Sequence, residues 1–74
     1  MRTRGDLISL LSPSIGAARA ATAVDSAADV AGIEGDELTR DEALRLLERI
    51  TAVPGIVGVA ARFAKSRVHL VWDK

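Results

Sequence analysis

At 74 residues the chain is one small domain, 49% apolar but with only Phe63 and Trp72 as aromatics, and it contains no cysteine. Disulfides and thiolate metal sites are therefore excluded, and the single His69 cannot build a multi-histidine site within one chain. Ten basic and ten acidic residues cancel to a net charge of zero, so the strong basic excess typical of nucleic-acid domains is missing.

The charges are nevertheless segregated. Residues 1–24 carry a net +2, residues 25–48 a net −6 and residues 49–74 a net +4. Such a chain can fold its acidic middle onto its basic end or pair with a neighbour. A domain this small buries only about 60% of its unfolded surface, so oligomerisation is one expected source of extra stability.

In chain order, residues 1–5 read as a loose basic arm. DLISLLS supplies a short helical turn near 6–11, and Ser12-Pro13 suggests a stop and a restart, with Ser12 as cap and Pro13 in a new first turn. The longest predicted helix is 13–31. Ala17, Ala20, Ala21, Val24, Ala27, Ala28 and Ala31 recur at spacings of three and four, opposite Arg19, Thr22, Asp25, Ser26 and Asp29. Gly32 is its expected stop. This narrow small-residue stripe suits a bundle core, or a close-packed seam between subunits.

The stretch GDELTRDEALRLLERI has the acidic, glycine-containing look of a calcium loop. With Leu38 at position 8 and Glu42 at position 12, however, Ala31, Ile33 and Gly35 fall where oxygen ligands belong, and Asp36 takes the glycine position. A calcium loop is therefore excluded. Thr39-Arg40-Asp41-Glu42 instead matches a capping box that opens a helix near 40–52. Ala43, Leu44, Leu47 and Ile50 form its apolar face, and Pro54 turns the chain at its end.

The last predicted helix, 55–66, places Ile56, Val59, Ala60 and Phe63 on one face and carries Gly58 inside it at a cost of up to ~1 kcal/mol. RVHLVWDK then changes period. Val68, Leu70 and Trp72 alternate with polar or smaller neighbours, which predicts a strand or extended tail over 68–74 that needs a partner strand. The expected core is Leu7, Leu10, Leu11, Ile15, Val24, Leu44, Leu47, Ile50, Ile56, Val59 and Phe63.

Motifs for chemistry are few. No GxSxG elbow accompanies the serines, His69 near Ser66 is the sole histidine partner available, and GIEG and PGIVG match neither phosphate-binding fingerprint. At Asp25-Ser26, VDSAAD is similar in two residues to the DSL motif of acyl carrier proteins, small four-helix bundles with a prosthetic group on that serine. Here alanine follows Ser26, and the serine falls mid-helix rather than at a helix start, so the prosthetic group is not carried over.

The sequence thus predicts a mainly α fold, a three- to four-helix bundle over 1–74 with a possible C-terminal strand paired in an oligomer. It reads as a non-enzymatic, cytoplasmic interaction or oligomerisation module without cofactor, metal or membrane span. Homo-oligomerisation or a protein partner would engage Ala17, Ala21, Val24, Ala28, Phe63, Val68, Leu70 and Trp72. The alternative is a small DNA-binding regulator using Arg62, Lys65 and Arg67, against which stands the zero net charge.

Overall fold

A computed structural model describes residues 2–72. Four helices dominate: α1 (Arg4–Ile15), α2 (Ala17–Ala31), α3 (Arg40–Thr51) and α4 (Ile56–Val71). Two minimal strands, β1 (Arg2–Thr3) and β2 (Glu37–Leu38), pair antiparallel with Arg2 opposite Leu38 and Thr3 opposite Glu37. The helices pack in a ring: α1 against α2 and α4, and α3 against α2 and α4. Among the described residues no helix is long and apolar enough to cross a membrane.

The N-terminal arm is not loose. Thr3 caps α1 in a capping box, its Oγ1 accepting from the Asp6 amide at 3.2 Å while its own amide donates to Asp6 Oδ2 at 2.8 Å. Arg4 anchors the loop after α2. Its backbone N–H donates to the Asp36 carbonyl at 2.8 Å, its Nη2 donates to the Ile33 carbonyl at 2.8 Å, and its Nη1 lies 3.3 Å from Asp25 Oδ1. Two otherwise unpartnered loop carbonyls are thereby satisfied. Met1, the first residue of the expected arm, lies outside the described residues.

The predicted 6–11 and 13–31 helices divide differently. Pro13 lies inside α1, and the chain breaks at Gly16. Ser12 is not a cap; its hydroxyl donates back to the Ile8 carbonyl at 2.7 Å. Proline is tolerated because it sits on an exposed row together with Ser9, whose carbonyl it leaves without an intrahelical donor. Gly16 is the true hinge: its φ of 87° is one that side chains rarely adopt, and its N–H closes α1 by donating to the Ser12 carbonyl at 2.8 Å. α2 then ends at Gly32, as the sequence predicts.

α3 follows its predicted start. Thr39 Oγ1 accepts from the Glu42 amide at 3.1 Å, and the Thr39 amide donates to Glu42 Oε1 at 2.9 Å. Its buried face is Ala43, Leu46, Leu47 and Ile50, with Leu44 half-buried. Leu38, in β2 just before the cap, is buried and closes that end of the core.

The C-terminus departs most from expectation. Residues 68–71 continue α4 as helix rather than forming a strand, with Val68 turned into the core and Arg67 exposed. β1 finds its partner in β2, so no C-terminal strand forms among the described residues; Asp73 and Lys74, the end of the predicted tail, lie outside them. The core includes Leu7, Leu11, Val24, Leu47 and Ile50 as expected, whereas Leu10, Ile15 and Leu44 are only partly buried. Ile56, Val59 and Phe63 are exposed. The inward face of α4 is Gly58, Ala60, Ala61, Ala64 and Val68, and Trp72 closes the end of the core with Arg2 over its ring at 5.6 Å.

Candidate docking surface

This inversion on α4 has a steric cause. α4 follows α3 after a four-residue turn, Ala52–Gly55, and the two helices lie tightly together. A Cβ added at Gly58 would collide with the Val53 carbonyl oxygen and come within 3.0 Å of that of Thr51. Only a glycine fits where the helix passes the end of α3. The alanines at 60, 61 and 64 extend the close approach, and each removes surface from water at little side-chain entropy cost.

With the small residues turned inward, the large ones are left outside. Ile56, Val59, Phe63 and Leu70 are 56%, 50%, 68% and 85% exposed, and their spacings of three, four and seven place them on one stripe of the helix. Beside the stripe, a shallow groove of about 550 Å³ runs between α4 and α1, lined by Ser9, Leu10, Pro13, Ser14, Phe63, Ser66 and Arg67. Phe63 is thus the shared wall of an exposed apolar ridge and an adjoining groove.

The electrostatics of this surface carry one sign. α4 contains no acidic residue, while Arg62 lies along one edge of the stripe and Arg67 along the other, both exposed. Lys65, which faces α3, forms an ion pair with Glu48 that holds the Glu48 carboxyl below the usual glutamate range, first through the hydrogen bond and then through the lysine charge. This is where the acidic middle of the chain meets its basic end. His69 Nδ1 lies 3.0 Å from Arg40 Nη2, so the ring accepts from the guanidinium there, and the Ser66 hydroxyl donates to the Arg62 carbonyl at 3.4 Å rather than pairing with His69.

The eight residues predicted for an interface scatter. Phe63 and Leu70 share the exposed stripe, Ala17 is exposed at the start of α2, and Ala21 is half-buried. Val24, Ala28, Val68 and Trp72 lie in the chain's own core. The alanine stripe of α2 is consumed by packing against α1 and α3, which leaves little of it for a second subunit. Of the three cations predicted to meet phosphates, Lys65 is engaged by Glu48, and Arg62 and Arg67 flank an apolar centre on opposite edges. Ile56 and Val59, assigned to the core by their size, instead complete the exposed stripe. Among the described residues no group of three or more histidine, cysteine, aspartate or glutamate side chains is placed to hold a metal.

Neither protein-family models, nor curated proteins, nor solved structures yield a match to this chain.

Proposed function

We propose that the protein is a non-enzymatic interaction module that docks a partner protein on the outward face of α4. The observation that carries this reading is the reversed packing of α4, with Ala60, Ala61 and Ala64 inside and Ile56, Val59, Phe63 and Leu70 outside. Scattered apolar residues on a surface need no explanation, but Ile56, Val59 and Phe63 at successive helical spacings, with Leu70 two turns on and a groove alongside, suit an interaction site. Burying Phe63 alone would contribute up to ~1.5–3 kcal/mol.

Charge selects the partner's chemistry. Self-pairing of α4 with α4 of a second copy would set Arg62 and Arg67 of the two copies against one another, with no acid on either helix to compensate. A partner helix with an apolar face and acidic flanks meets both the stripe and its cationic edges, the helix-in-groove mode of recognition. A heterotypic partner therefore fits this face better than the homodimer expected from the alanine stripe.

The test uses two designed amphipathic helical peptides with the same leucine face, one flanked by glutamates and one by lysines, together with light scattering of the protein alone. Preferential, salt-sensitive binding of the glutamate peptide to a monomeric protein supports the reading. Equal binding of both peptides, or a protein that is already a dimer through α4, contradicts it.

A further inference from the structure

A second groove lies on another side of the bundle, between α2, the end of α3 and the start of α4. It is open to solvent and has a volume of about 630 Å³, within the ~300–1,000 Å³ range of small-molecule sites. Its bed is apolar, formed by Ala23, Ala27, Ile50 and Val57, with Val30 and Val53 on the rim. It follows α2 from Ala18 to Val30, a rise of about 18 Å. A slender, extended molecule can lie along this line with its apolar side on the bed.

The charged groups in the lining are of one sign. Arg19 and Arg49 both border the groove and both are exposed, and neither forms an ion pair or hydrogen bond with any described residue, in contrast to Arg4 and Arg40. The Ser26 hydroxyl also lines it, without a protein partner among the described residues, whereas Thr22 spends its hydroxyl on the Ala18 carbonyl. No carboxylate borders the groove. Asp25 and Asp29 belong to α2 but lie outside the lining, and Asp25 pairs with Arg4.

We infer that this groove binds an unesterified apolar carboxylate, its hydrocarbon body along α2 and its charged end paired with Arg19 and Arg49. Guanidinium groups recognise carboxylates through paired, charge-assisted hydrogen bonds, and the adjoining apolar bed shields one side of the hydrocarbon body from water. The neutral and cationic counterparts of such a molecule lack the group that the arginines select.

The test follows backbone amide shifts of the labelled protein on addition of decanoate or decyltrimethylammonium, each below its micelle concentration, or of decanol below its solubility limit. Decanoate is expected to shift the amides of Ala23, Ala27, Ile50 and Val57, and decanol to bind at least about tenfold more weakly. The double variant Arg19→Gln, Arg49→Gln should lose about tenfold in decanoate affinity while binding decanol as before. Both arginines are exposed and without side-chain partners, so circular dichroism should show the fold intact. Equal binding of the three amphiphiles overturns the inference, as do shifts confined to the α4 stripe. It is equally overturned if the groove amides move with protein concentration alone, which would place a second copy there. The same holds if they respond to anionic lipid vesicles and not to decanoate.

Discussion

Phe63 and Ala64 are neighbours in sequence and opposites in environment: the phenylalanine is 68% exposed and the alanine 2%. In most amphipathic helices the larger apolar side chain would be the buried one, because it removes more surface from water. Here the limit is the distance between α4 and its neighbours, and small residues win the inner face. Replacing Phe63 by alanine should therefore change unfolding free energy by no more than about 0.5 kcal/mol. Replacing Ala64 by leucine should destabilise by about 1–3 kcal/mol through overpacking. Urea titrations followed by the fluorescence of Trp72, the one tryptophan and itself buried, check both.

Gly58 offers a sharper test of the same packing. In an exposed helix, glycine to alanine gains up to ~1 kcal/mol from propensity. At this position the new Cβ meets two backbone oxygens, of Val53 and Thr51, which cannot rotate away. Gly58→Ala should lower the urea midpoint, the reverse of the propensity expectation.

The paired capping boxes make a third prediction. Thr39→Ala leaves the Glu42 amide without its side-chain acceptor, while the backbone N–H at position 39 can still donate to the Glu42 carboxylate. The expected loss is about 1 kcal/mol, and Thr3→Ala should behave similarly at the start of α1. Thermal unfolding by circular dichroism measures both.

The α3–α4 contact should also respond to acid. Lys65 depresses the Glu48 pKa in the folded protein, so the pair's contribution is present above the unfolded glutamate value and is lost as pH falls through the folded one. Glu48 is well exposed, so the effect is small and screened by salt. Comparing wild type with Glu48→Gln across the acidic range, at low salt, should show the two stabilities converging as pH falls. A difference that persists unchanged into strong acid would mean that the ion pair contributes nothing.

Local signals in the sequence were legible where they act locally. The capping box at Thr39, the stop at Gly32 and the inward stripe of Ala20, Val24, Ala27 and Ala28 all follow from spacing alone. The capping box at Thr3 has the same kind of signature in Thr3 and Asp6, but composition made the basic arm look loose. Pro13 was misleading because tolerance depends on which row of α1 faces water. The face of α4 was not legible, since Ile56, Val59 and Phe63 share a helical face as convincing as that of Ala60, Ala61, Ala64 and Val68. What decides between them is the tight passage at Gly58, a tertiary fact. One hint was present: a glycine in the first turn of a helix, followed by alanines at close spacing, suits an approach between helices.

The docking face itself is tested most directly by mapping where the glutamate-flanked helical peptide binds. Backbone amide shifts should concentrate on Ile56, Val59, Phe63 and Leu70 and on the neighbouring Leu10 of α1, and Phe63→Glu should abolish them while leaving the fold unchanged. Shifts centred instead on α2, or binding that survives Phe63→Glu, would contradict the assignment of α4 as the docking surface.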